Sequence, residues 1–529
     1  MPQMLATRLV DLDAPASRVR AVIADEFITG EAPDGVMIGS PGGATDDTVL
    51  YARVEVVDAE RCRVELAIAN EFRIPFFQWA LGPMVLGQME RNVDHCSSRL
   101  ATRIEGREPP PPLKPPLLLP RVPFTARQAN QLAVASFATS IAVFGGALYG
   151  QNAQSIQDSF GASDGAIGNA LAASRVGALV TLFIAAMADR VGRRRLILVG
   201  LVGVAIANAL TALSPNLWAL ATLQVFARGF VSAAAVVAGI IAIEEAPEGA
   251  RAFAASMLAL AGGLGFTVAV VLLPIADFND ETWRIGYVVS GLSILLVPRV
   301  GRHLKEGRRF VELAGTDVER GRAGEVLDRR YGKRFVVLGI VGFLTNVLNA
   351  PSAQLSNKYL EDDRGFSNSG ILGFRTATTG FTGFIGIILA GRLTEARGRR
   401  PVAALFLLLA ALGQIAFFLS SGPAMWVASG FSVMAASCGG LALGTMNAEL
   451  FPTEVRGTSN GMLLLVSVLG SATGLVVAGQ LSDPLGGIGK AIALCALPTV
   501  LAAILFVPRL PESAGHDLDE ISPSEEEST

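Results

Sequence analysis

The chain has 529 residues, of which 51% are hydrophobic and 17% charged, with a net charge of −3. Soluble domains carry about 25% charged residues, so a mean hydropathy of +0.48 places most of this chain in lipid. Its four cysteines (Cys62, Cys96, Cys438 and Cys495) are not at metal-ligand spacing, so neither a disulfide framework nor a zinc site is indicated.

Residues 1–105 differ from the rest. Val49–Val57 and Arg61–Ala69 alternate as two strands around Asp58-Ala59-Glu60, Ser17–Asp25 reads as a helix, and a long helix is expected from about Phe76 to Glu105, with Gly82-Pro83 as a possible break. The spacing predicts a small α+β unit. No continuous apolar run occupies the first thirty residues, so no cleavable leader is expected. Residues 106–127 form a linker in which Pro109–Pro112, Pro115-Pro116, Pro120 and Pro123 favour an extended polyproline spacer.

Twelve apolar stretches follow, at 131–150, 166–188, 195–213, 217–243, 251–274, 284–299, 335–352, 369–391, 401–420, 424–446, 457–480 and 488–508. Each is near the roughly 20 residues needed to cross about 30 Å of hydrocarbon. The expected architecture is an all-α membrane protein: a six-helix half over 128–299, a charged loop over 300–334, a second six-helix half over 335–508 and a polar tail over 509–529. Basic residues crowd alternate loops: Arg190 and Arg193–Arg195, then Arg251, then Arg302, Lys305, Arg308 and Arg309, then Arg397, Arg399 and Arg400, then Arg456. The opposite loops hold only Arg284, Lys358, Arg364 and Lys490. That asymmetry predicts an integral plasma (inner) membrane protein with both termini cytoplasmic.

The chain also repeats itself. Asp189-Arg190-Val191-Gly192-Arg193-Arg194 recurs 206 residues on as Glu395-Ala396-Arg397-Gly398-Arg399-Arg400. Glu244, Pro247 and Arg251 recur as Glu449, Pro452 and Arg456, shifted by 205, and Leu304-Lys305-Glu306 recurs as Leu510-Pro511-Glu512, shifted by 206. Three motifs at nearly one offset, each at an equivalent helix end, predict two parallel six-helix repeats rocking around a site near the midplane.

On these residues the chain resembles the major facilitator superfamily. Ala188–Arg194 is similar to its signature between helices 2 and 3, Glu449–Gly457 to the loop after helix 10 of sugar-porter-like and related metabolite transporters, and Leu510–Ser513 with Leu518–Ile521 to their tail. The resemblance covers about 130–521 and implies a secondary transporter, a symporter among the options, working by alternating access. It implies a gating role for Asp189, Gly192, Arg193, Glu395, Gly398, Arg399, Glu244, Arg251, Glu449 and Arg456. Helix 7 departs from the sugar porters, with Asn346 and Asn349 in place of their paired glutamines.

Charge inside the apolar stretches is the other functional signal. A central arginine costs about 2.5–3.5 kcal/mol and faces a cavity or a partner. Arg228 lies 16 residues before Glu244, roughly 24 Å along a helix, and Arg175 lies 14 residues before Asp189, roughly 21 Å. Both are candidates to attract an anionic group, with Arg375 at the external rim and Asn346 and Asn349 as polar liners. The alternative is that each serves only helix packing. Almost no acid occupies the middle third of any stretch, so proton coupling stays open. The substrate expected is a small carboxylate-bearing metabolite. The alternatives are an exporter of hydrophobic or drug-like compounds and a non-transporting sensor. No Gly-x4-Gly-Lys-Ser/Thr loop is present, which argues against ATP-driven pumping, and no nucleophile–base set argues for an enzyme. No cofactor, metal or nucleic-acid partner is called for. The opening unit, with its strand–helix start and long closing helix, resembles the START-like helix-grip family, which implies a lipid-like ligand for residues 1–105.

Overall fold

The computed structural model describes residues 4–31, 37–39, 48–70, 78–108, 110–111, 124–179, 192–247, 251–279, 281–306, 332–451 and 453–512. The opening unit has strand β1 (Met4–Leu12), helix α1 (Ala16–Phe27), strands β2 (Ile28–Glu31), β3 (Met37–Gly39), β4 (Thr48–Val56) and β5 (Cys62–Asn70), and helix α2 (Gln78–Ile104). The sheet is antiparallel in the order β1-β5-β4-β3-β2. Alternation fixes the register: Val54 faces Val64 and Val56 faces Cys62 across the expected turn. One face of the sheet (Leu50, Ala52, Val54, Val64, Leu66, Ile68) packs with Val19 and Ile23 of α1 and Val93, Cys96 and Leu100 of α2 into a core of its own. Gly82-Pro83 does not break α2. The proline-rich expectation for 112–123 lies outside the described residues.

Ten helices among the described residues are long and apolar enough to cross a membrane. In chain order the helices are α3 (Ala126–Gln151), α4 (Ala153–Phe160), α5 (Asp164–Ser174), α6 (Arg193–Thr211), α7 (Leu217–Glu245), α8 (Arg251–Val271), α9 (Arg284–Leu292), α10 (Val297–His303), α11 (Gly332–Asp362), α12 (Asn368–Arg375), α13 (Phe381–Arg397), α14 (Arg399–Leu419), α15 (Gly422–Glu449), α16 (Thr453–Leu485), α17 (Ile488–Leu494) and α18 (Leu497–Leu501). Two expected stretches lie outside the ten spans. The described part of 166–188 passes from α5 into a 3-10 turn at Arg175–Leu179, with 180–188 outside the described residues, and 369–391 is interrupted by a π turn at Thr376–Gly380. Helix irregularities tend to collect at functional positions, and here one begins at Arg175 and the other directly after Arg375.

Two compact units can be distinguished. One comprises Met1–Thr139, Ala238–Ala261 and Arg299–Glu312, and the other Ser140–Val237, Gly262–Pro298 and Leu313–Thr529. Within the second, small residues let helices approach at backbone distance, as packing in lipid requires. A Cβ on Gly177 would stand 1.9 Å from the Val225 carbonyl oxygen, bringing the turn after α5 against α7. Gly168 of α5 and Gly479 of α16 meet in the same way.

One helix boundary departs from expectation. The seventh stretch was to end at 352, with Lys358 in a loop. Instead α11 runs through Pro351 to Asp362, and Lys358 is buried in it. Pro351 has no N–H to give the Val347 carbonyl. That carbonyl oxygen lies against Gly474 of α16, where a Cβ would come within 2.2 Å, so a neighbouring helix covers the freed group and the helix continues.

Candidate functional site: buried arginines and two helix-end clusters

The arginines come together on a neutral partner. Arg175, in the turn after α5, and Arg228, on α7, both reach Gln354 of α11. With the amide oriented so that its oxygen faces the two guanidinium groups, Gln354 Oε1 accepts from Arg228 Nη2 at 2.8 Å and from Arg175 Nη2 at 2.6 Å. The opposite orientation would set an NH2 group against two donors. Gln354 is itself buried, and Gly150 of α3 fixes its backbone, because a Cβ there would stand 3.0 Å from the Gln354 Cα. One turn along α11, Arg375 Nε donates to Asn357 Oδ1 at 3.0 Å, and Asn357 Nδ2 donates to Gln151 Oε1 at 2.8 Å. Among the described residues no carboxylate pairs with Arg175, Arg228 or Arg375.

The expected polar liners divide. Asn346 Nδ2 donates to the Gly342 carbonyl at 2.9 Å, and its Oδ1 accepts from Ser471 Oγ at 3.3 Å, so it serves helix packing in this state. Asn349 is exposed.

At one end of the helices lie Gly192 and Gly398, the caps of α6 and α14. Their φ angles are +95° and +90°, a region costly for any other residue. Glu512 substitutes for a capping side chain on α14, accepting from the Arg399 N–H at 2.8 Å and the Arg400 N–H at 3.1 Å. A carboxylate at a helix N-terminus also meets the positive end of its dipole. Arg193 is buried at the start of α6 and Glu244 is half-buried at the end of α7. The neighbouring Glu245 pairs with Arg127 at 3.8 Å. Asp189 lies outside the described residues, as do the side chains of Glu395, Arg251, Glu449 and Arg456.

The opposite end carries a cluster that the sequence did not announce. Lys358 Nζ pairs with Asp164 Oδ1 at 3.0 Å and with Asp362, and donates to Gln154 Oε1 at 2.7 Å. Asp164 also accepts from Gln157 at 2.8 Å and from Ser482 of α16. Asp277 accepts from the backbone and side chains of Asn368 and Ser369 at 2.8–3.3 Å, holding the start of α12. These bonds join helices that precede residue 300 to helices that follow residue 332. Lys358 was misread because its charge looked like a loop charge; its partly exposed partner Asp164 on α5 was the missing signal.

The model of the Major Facilitator Superfamily matches residues 135–367 and 335–525. The chain belongs to the major facilitator superfamily. It is therefore an integral membrane transporter of a small solute and not an enzyme. Among relatives, it is 25% identical over 348 residues to a protein of Cupriavidus pinatubonensis named "Probable 4-methylmuconolactone transporter", covering 63% of this chain and 79% of that one. It is 27% identical over 347 residues to a Haemophilus influenzae protein named "Putative metabolite transport protein", covering 63% and 84%. Among solved structures it is similar to the inward-open xylose transporter XylE from E. coli, with a TM-score of 0.61 at 15% identity over 74% of this chain and 98% of that one. The nucleoside transporter NupG gives 0.60 at 13% identity over 72% and 99%. At these identities the structural likeness speaks for the major facilitator fold alone.

Proposed function

We propose that this major facilitator protein carries a small carboxylate-bearing metabolite across the plasma (inner) membrane by alternating access, through twelve helices arranged as two six-helix repeats. The single observation that carries the substrate class is the Arg175–Arg228 pair, which meets on one amide oxygen and has no acid partner among the described residues. Two guanidinium groups held this way have no counter-charge among the described residues. A carboxylate supplies it with two oxygens in the fork geometry that arginine favours. Arg375 stands one turn away along α11 as a third cation for the rest of the solute, with Asn349 and, after release from Ser471, Asn346 as polar contacts.

Asp189, Gly192, Arg193, Glu395, Gly398 and Arg399, with Glu244, Arg251, Glu449 and Arg456, form the cytoplasmic gate. Both termini, the charged loop and the opening domain lie on that side, as the loop arginines favour. The Lys358–Asp164 cluster then closes the outer end. The sheet order and long closing helix of residues 4–104 support a lipid-like ligand for that domain.

The test is uptake by reconstituted liposomes of labelled acetate, benzoate, succinate and 4-methylmuconolactone. Xylose serves as a neutral control and tetraphenylphosphonium as a cationic one, each with and without a pH gradient. Saturable carboxylate uptake, lost in Arg228→Gln with folding intact, supports the reading. Carriage of xylose or the cation alone, unchanged by the substitution, refutes it and favours the exporter alternative.

A further inference from the structure

Among the described residues Gln354 is the group that touches both arginines, and it reaches them from a helix much later in the chain. Arg175 and Arg228 come from helices that precede residue 300, whereas Gln354 sits on α11, after residue 332. Its single oxygen is shared between two cations at 2.8 and 2.6 Å. A neutral amide oxygen satisfies donors but supplies no charge, and Arg175 Nε is buried without a hydrogen-bond partner. The arrangement is thus a weak stand-in for an anion, placed where an anion would bind.

We infer that Gln354 is an internal surrogate for the substrate carboxylate: it ties α11 to Arg175 and Arg228 when the site is empty, and the arriving carboxylate displaces it. This rests on the carboxylate reading above. The consequence is coupling. A carboxylate offers one oxygen to each guanidinium, so both arginines exchange half of a neutral acceptor for a charged one. The displaced amide releases α11 from the turn after α5 and from α7. The second tie along the same helix, Arg375 to Asn357 and Asn357 to Gln151, lies one turn beyond, and the Lys358 cluster follows directly. Substrate binding therefore acts first on the link nearest the site and loosens the attachments of α11 from the inside outward. Gln354 is a positioning and affinity-setting residue, competing with the substrate while marking its place.

Two substitutions at this one position are expected to move affinity in opposite directions. Gln354→Glu gives the arginines a permanent carboxylate, so KM for a carboxylate rises about tenfold or more. Gln354→Leu removes the competitor while keeping the bulk, so KM falls by about threefold, with a lower maximal rate because binding no longer has a tie to release. A role in packing alone would move both variants the same way. The assay is liposome uptake with the full chain, using the labelled acetate, benzoate, succinate and 4-methylmuconolactone of the panel above.

A readout free of substrate accompanies it: the thermal unfolding midpoint in carboxylate-free buffer, expected to be higher for Gln354→Glu than for wild type. Opposite KM shifts with that order of midpoints support the inference. KM shifts in the same direction, unchanged KM values, or a Gln354→Glu midpoint at or below wild type overturn it. Wild-type uptake of xylose alone overturns the carboxylate reading itself. Wild-type carboxylate uptake that needs Arg228 but ignores both Gln354 variants overturns only the surrogate.

Discussion

If the Lys358 cluster closes its end of the transporter, as proposed, Asp164→Asn should open that end. Lys358 Nζ is fully buried and pairs with Asp164 at 3.0 Å and with Asp362, while Gln154 accepts from it at 2.7 Å. Stripping a buried ion of its partner costs about 3–5 kcal/mol. Here Asp362 and Gln154 remain, Asp164 keeps 16% of its side-chain surface exposed, and asparagine can still accept a hydrogen bond. A cost of about 1–3 kcal/mol to the closed arrangement follows, and at 1.4 kcal/mol per tenfold that is about a fivefold to 140-fold shift of population. The reporter is a cysteine at Ala478, which is fully buried beside the Gly168–Gly479 contact, in a background where the four native cysteines are serine. Its rate of modification by a membrane-impermeant maleimide follows the population in which this end is open. The rate should rise in Asp164→Asn by about the factor just given, and the triple variant Asp164→Asn, Asp362→Asn and Lys358→Met should fall back toward wild type, because it removes all three charges of the cluster together. An unchanged rate in Asp164→Asn would refute the latch, as would a rise that the triple variant increases further.

Three further outcomes follow from the same geometry. Glu512→Ala removes the carboxylate that caps α14 through the Arg399 and Arg400 N–H groups, at about 1–2 kcal/mol; the unfolding midpoint of the detergent-solubilised protein should drop, with Glu512→Gln falling less. Gly177→Ala sets a methyl 1.9 Å from the Val225 carbonyl oxygen, so α7 must shift at a cost of about 1–3 kcal/mol, and carboxylate uptake should fall more than folded yield because Arg228 moves with the helix. In the opening domain, Arg63 beside Asp11 and the Glu60 N–H with Arg61 beside Asp58 hold both carboxyls below their ordinary range. A depressed folded-state pKa gives stability that is present above the unfolded value and lost as pH falls through the folded one. Circular dichroism on residues 1–107, whose core is self-contained, should therefore show a midpoint that drops between about pH 6 and about pH 3, and drops less in Asp11→Asn.

What the sequence made legible was local, or marked by charge out of place. The glycines at 192 and 398 could be paired by spacing, and both adopt the left-handed backbone that makes glycine necessary there. Arg175 and Arg228 stood out because an ion in an apolar stretch is costly. The strands around Asp58 followed from alternation, and they pair with Val54 opposite Val64 and Val56 opposite Cys62. Gln354 and Asn357 gave no comparable signal. A neutral amide in a helix is cheap and common, and its importance depends on what another helix sets opposite it, which no local pattern records.

Lys358 shows the same limit from the other side. Its charge was visible, but it fell beyond a stretch expected to end at 352 and was counted with the loops, whereas the helix runs through Pro351. The helix continues because Gly474, more than a hundred positions away, covers the carbonyl that the proline leaves without a donor. The turns of α11 beyond that contact carry Gln354, Asn357 and Lys358, and with them every described tie from this helix to Arg175, Arg228, Gln151 and Asp164. Replacing Gly474 by valine should thus do more than crowd two helices: by ending α11 near Pro351 it would release all of those ties together. Carboxylate uptake and closure of the Lys358 end, read by the Ala478→Cys reporter, should be lost in the same variant, whereas Asp164→Asn should affect closure without abolishing binding at the arginines.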